Sequence, residues 1–111
     1  MPIRIMSRPV SEDTVSFSLD GVLDAASVDE VREKAVSYIN NGRVNVFMDL
    51  SAVDFIDSEG QLIFEEIHNF ATPLGGGVRI ICPDPGIRKT FEITGLDEII
   101  SVLEKQEGSM K

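Results

Sequence analysis

Few residues in this 111-residue chain have the type and spacing to do covalent chemistry. There is one His and one Cys, His68 and Cys82. They fall in different segments and lack the spacing of metal ligands. A nucleophile would need His68 as its base, and the nearest hydroxyl, Thr72, stands in no elbow or strained turn. Gly75-Gly76-Gly77 follow a predicted helix and precede a predicted strand, without the Lys and hydroxyl of a phosphate loop. Glu65 and Glu66 are neighbours on a predicted helix and point about 100° apart, poor geometry for shared acid–base work. The expectation is a chain with no catalytic residues, no metal and no cofactor.

One cluster stands apart: Asp57-Ser58-Glu59-Gly60, where a loop meets a helix start. Asp57 is a natural N-cap, accepting N–H bonds from the first turn. Ser58 then takes the first helical position with its hydroxyl toward solvent. Glu59 falls in the first turn, where the helix dipole favours negative charge by about 0.3–1 kcal/mol. Free N–H groups at such an end also welcome a phosphate. Local residues alone leave two readings open, a plain helix cap and a recognition point.

The surrounding elements are legible from periodicity. Ile3 and Ile5 suggest a short first strand, Ser11-Glu12-Asp13 a turn, and the alternating Thr14–Leu19 a second strand with one buried face. Gly21 to Ala26 is read as leading into a helix. Ser27 and Glu30 have capping-box spacing, and Val28, Val31, Ala35, Tyr38 and Ile39 form one helical stripe. Asn41-Gly42 closes it. Val44–Leu50 is apolar beyond strict alternation, as in a central strand covered on both faces. Ser51–Ile56 is read as the connection to a second helix, with Ile63, Ile67, Phe70 and Ala71 as its buried stripe and Pro73 as its stop. His68 is placed on that helix's surface, and Cys82 in the core. Val78–Cys82 is a further strand. A third helix runs from about Gly86 to Thr94 and stops at Gly95. Leu96–Lys105 is ambiguous between a short strand and a last helix. Strands alternating with helices imply βαβ units and a mostly parallel sheet, made mixed by the amino-terminal hairpin.

Composition bounds the function. Apolar residues are 42% and charged residues 26%, as expected for one folded unit with a real core. Ten bases against nineteen acids give a net charge of −9. That balance excludes a sequence-independent nucleic-acid binder and docking on an anionic membrane. No apolar run approaches the roughly 20 residues of a membrane span, and Met1-Pro2-Ile3-Arg4 lacks the apolar core of a secretion signal. A single Cys favours a cytosolic compartment. From Val44 to Val78 there is no Lys or Arg, while Asp49, Asp54, Asp57, Glu59, Glu65 and Glu66 fall there. A solvated acidic face explains this, and so does a docking face for a basic partner. The tail from about residue 106 is polar and reads as a fraying end.

From about Val15 to Val102 the chain resembles the STAS domain family of bacterial anti-sigma factor antagonists. Gly21-Val22-Leu23-Asp24 is similar to the family's Gly-Glu-Leu-Asp turn. Phe47-Met48-Asp49-Leu50-Ser51 and Val53-Asp54-Phe55-Ile56-Asp57-Ser58 resemble its Leu-Asp-Leu-Ser strand and following Phe-Ile-Asp-Ser. Ile87 to Asp97 resembles its third helix and closing Thr-Gly-Leu. The resemblance implies a single α/β STAS-like domain over residues 1–111, with a mixed sheet of four to five strands and three to four helices.

It also implies partner switching. The expected partner is an anti-sigma factor that is also a Ser/Thr kinase of the histidine-kinase-like ATPase fold, with a phosphatase resetting the phosphorylated antagonist. Asp24, Asp57, Ser58, Glu59 and Gly60 align with residues that meet the partner. The family's phospho-acceptor immediately precedes Gly, and here that position is Glu59. Three readings are open: Glu59 mimics the phosphorylated form, Glu59 leaves the chain outside phospho-control, or Ser58 has become the acceptor. The one preferred is loss of the usual switch. Leu62 stands one place later than the family's Leu, and Glu65, Glu66 and His68 replace bases common there, so a partner on that helix is expected to be more basic. The competing expectation is a STAS subunit that binds a nucleotide or lipid within a larger complex.

Overall fold

The computed structural model describes residues 3–105. The tail expected to fray from about residue 106 lies outside them. In chain order the elements are β1 (Arg4–Ser11), β2 (Thr14–Leu23), α1 (Val28–Asn40), β3 (Asn45–Ile56), α2 (Ser58–Ala71), β4 (Gly77–Ile81), α3 (Pro85–Thr94) and β5 (Ser101–Leu103). Short 3₁₀ turns at Thr72–Leu74 and Leu96–Glu98 come after α2 and α3. The region from Leu96 thus resolves as a turn and a short strand.

The sheet order is β1-β2-β3-β4-β5. β1 pairs antiparallel with β2, and every later pair is parallel. Each parallel crossover advances one strand in the same direction. Right-handed crossovers then place all three helices on one face. One core results, in which Phe17, Leu19, Met48, Leu50 and Ile80 from the strands meet Val31, Ile63, Phe64 and Phe91 from the helices. Phe64 and Phe91 join α2 to α3 edge-to-face, ring centroids 6.2 Å apart. Cys82 is buried in this core, as expected; its burial raises the thiol pKa.

Among the described residues, no helix covers the opposite face of the sheet. There Phe47 and Ile81 form a small cluster with Val10, and the Arg79 guanidinium lies 5.8 Å from the Phe47 ring centre. Side chains from neighbouring strands therefore supply the second cover over β3, so Val46, Phe47 and Met48 are all buried.

Several expectations are corrected. β2 continues through Gly21-Val22-Leu23, and β3 through Ser51–Ile56, because these stretches pair with each other from Asp20↔Ala52 to Leu23↔Ile56. Register shifts after Ser18 and Gly21 break the alternation that periodicity needs. Phe70 is 41% exposed, and Phe64 takes the core position instead. The Ser27 cap bond is absent. Ser27 Oγ donates instead to the Val22 carbonyl and accepts from the Asp24 N–H, both at 3.0 Å. His68 is half-buried, not a surface residue. Its Nδ1 accepts the Val78 N–H at 3.0 Å, tying α2 to β4.

Candidate functional site

Two parallel strands end side by side, and the site is built from the residues just past their ends. β2 stops at Leu23, opposite Ile56 at the end of β3. The next residues are Asp24 and Asp57. The Asp57 N–H donates to the Leu23 carbonyl at 3.2 Å, so the sheet bonding extends into the helix start.

Asp24 folds the chain tightly. Its main-chain carbonyl accepts the N–H groups of Ser27 and Val28 at 3.0 and 3.1 Å, and its Oδ1 accepts the Ala26 N–H at 3.0 Å. With the Ser27 hydroxyl bonded beneath, the Asp24 carboxylate is held half-buried at the rim. These bonds make Asp24 a turn stabiliser, and the same bonds fix where its carboxylate is presented.

Asp57 caps α2 as its residue type predicts: its Oδ1 accepts the Gly60 N–H at 2.9 Å. Ser58 occupies the first helical position, and both Ser58 and Glu59 are exposed. Gly60 is buried and its type is dictated by space. A Cβ there would stand 2.3 Å from the Leu23 carbonyl oxygen. Without one, the helix start can lie directly on the end of β2. Asp24 and the start of α2 therefore stand side by side past the strand ends, with Ser58 and Glu59 exposed and the Asp24 and Asp57 carboxylates half-buried against backbone N–H groups. An anionic ligand is poorly served here, because the Gly60 N–H is already taken and Glu59 stands in the first turn.

An apolar groove adjoins the rim. It measures about 200 Å³ and is lined by Ser58, Gln61, Leu62, Glu65, Thr94, Leu96 and Ile99. The Thr94 hydroxyl donates to Gln61 Oε1 at 2.9 Å, linking the far end of α3 to α2. Sequence reading missed this groove. Its one available signal was Leu62, an aliphatic residue off the buried stripe.

The three α2 residues read as an acidic partner face divide differently in space. Arg32 of α1 bonds both carboxylate oxygens of Glu66 and also Asp29. That pairing, Glu66 first, holds the Arg32 guanidinium pKa above its ordinary range. His68 is committed to Val78. Glu65, half-buried, has no such ion pair among the described residues and lines the groove.

A family model described as STAS domain matches residues 6–109. The chain belongs to the STAS domain family. The anti-sigma-B factor antagonist of Bacillus subtilis (strain 168) is 27% identical over 101 residues, covering 91% of this chain and 92% of that protein. The anti-sigma F factor antagonist of Lysinibacillus sphaericus is 30% identical over 89 residues, covering 78% and 75%. The anti-sigma factor antagonist SpoIIAA, solved in its unphosphorylated form, superposes with a TM-score of 0.78 at 24% identity, over 89% of this chain and 87% of that one. This STAS chain shares its α/β fold. Among the described residues, no helix is long and apolar enough to cross a membrane, and no three His, Cys, Asp or Glu side chains group as metal ligands.

Proposed function

We propose that this STAS chain is a non-catalytic interaction module of the anti-sigma factor antagonist type. It binds a kinase-type anti-sigma factor of the histidine-kinase-like ATPase fold through the Asp24 turn and the start of α2. The observation that carries this reading is the shared rim: Leu23 joins the Asp24 turn to the start of α2, where Asp57 bonds its carbonyl, Gly60 packs on it, and Ser58 and Glu59 are exposed. Support also comes from the relatives, which are named for antagonism of anti-sigma factors.

The usual phospho-switch is lost. Glu59 stands where the family places its acceptor, and one carboxylate carries less charge than the −1.5 to −2 or so of a phosphoryl group. Ser58, one place earlier, keeps its hydroxyl.

The test uses the ATPase-fold regulatory kinase encoded nearest this gene. Binding is measured by calorimetry with ADP and with ATP, and phosphate transfer by mass spectrometry. Wild type is expected to bind and stay unmodified, while Glu59→Ser becomes a substrate. Absence of binding with either nucleotide sinks the partner reading. Labelling of Ser58 in wild type sinks the loss of the switch.

A further inference from the structure

We infer that the groove beside Ser58 seats an aliphatic anchor from an amphipathic, Lys/Arg-bearing helix of the partner protein. This deepens the interaction reading above and rests on it for the partner's identity.

The lining has helical order. Ser58, Gln61, Leu62 and Glu65 fall at i, i+3, i+4 and i+7, so they form one stripe along α2. This stripe is separate from the buried one of Gly60, Ile63, Phe64, Ile67 and Ala71. The opposite wall is Thr94, Leu96 and Ile99. Leu62 is 57% exposed and Ile99 49%, while Leu96 forms a buried floor. A volume of about 200 Å³ suits one branched or aromatic side chain, since an engineered cavity of about 150 Å³ holds benzene. A straight trough along a helix is the shape that a second helix fills with regularly spaced anchors.

Charge selects the occupant. Every charged residue on α2 is an acid: Glu59, Glu65 and Glu66. So is every charged residue of the Leu96–Glu98 turn, Asp97 and Glu98. Glu65 lines the groove itself. A second copy of this chain would set these acids against their own kind, which disfavours self-association here. A helix with Lys or Arg flanking its apolar stripe is complementary to the acids of α2 and of the Leu96–Glu98 turn; the bases of α3, Arg88 and Lys89, precede Thr94 by five residues or more.

The probe is a synthetic helical peptide of about 18 residues, five turns long, with Leu every three or four positions and Lys on both flanks. Its twin carries Glu in place of each Lys. Methyl NMR of the full chain tracks each titration. The Lys peptide is expected to shift the Leu62, Leu96 and Ile99 methyls, and the Glu twin to leave them unmoved. Leu62→Glu and Glu65→Lys are each expected to weaken the Lys peptide about tenfold or more, as central anchors and desolvated charges do. Leu62 is exposed and Glu65 half-buried, and circular dichroism checks that each variant is folded. Shifts confined to other faces, equal shifts from both peptides, or undiminished affinity in both variants overturn the inference. The regulatory kinase separates the two readings. Kinase binding that survives Leu62→Glu but not Asp24→Ala removes the groove and keeps the partner reading. Peptide binding in the groove without any kinase binding does the reverse.

Discussion

At the scale of single residues, Gly60 is the most constrained position of the site. Any side chain meets the Leu23 carbonyl, a backbone atom that moves only with β2. Gly60→Ala is expected to destabilise by about 2 kcal/mol or more, the cost of overpacking a close contact. Urea unfolding reads this as a lower midpoint at unchanged slope. Cys82 gives a second test. Burial favours its neutral thiol, so its folded pKa lies above the unfolded one. Its contribution to stability is fully present below the ordinary thiol value of about 8.5 and falls as pH rises from there toward the folded pKa. Cys82→Ala should flatten that alkaline decline in thermal melts. A decline equally steep in both proteins would assign it elsewhere. His68 makes a third case. Replacing it with Phe leaves the Val78 N–H without its partner, at an expected cost of about 1–3 kcal/mol.

At the scale of elements, α2 shows what periodicity can and cannot read. Its start was legible, because Asp57 obeys the local rule of capping; the contact that requires Gly60 is with Leu23 and left no local signal. The stripe of Ile63, Ile67 and Ala71 was legible too. Phe70 was misplaced, since it lies only about 60° from Ile67 in helical projection, while Phe64 holds the core position. Phe64 faces Phe91 there. Phe64→Ala is expected to cost about 3–5 kcal/mol. Phe70→Ala, at an exposed site, should cost about 1 kcal/mol or less. A reversed order in chemical unfolding would contradict the assigned helix face. The strand extensions escaped reading for another reason. Residues 20–23 and 51–56 hold each other in place across irregular register, a long-range effect with no local pattern. The groove was hidden for the same reason, because its walls come from distant segments, Ser58–Glu65 and Thr94–Ile99. The Arg32 link between α1 and α2 is partly exposed, so Arg32→Gln is expected to lower stability by about 1 kcal/mol or less.

At the scale of the whole molecule, the α/β class, the mixed sheet and the element order were legible in the sequence. Strand–helix alternation and the hairpin dictate them. The one-sided helix layer is set by the handedness of successive crossovers. The net charge of −9 acts at this scale also. Association with a basic partner should be steered by the field of the whole chain. Its on-rate is then expected to fall by about tenfold between low and high salt, with a much smaller change in off-rate. Stopped-flow measurements at several salt concentrations check this, and a salt-independent on-rate would contradict it.

The strand order also has a consequence for biosynthesis. Since, among the described residues, every strand pairs only with the strands immediately before and after it in the chain, none of them must wait for a distant partner to be synthesised. As the ribosome releases the polypeptide, the hairpin offers a ready edge, and each later βα unit can zip onto the growing sheet in turn.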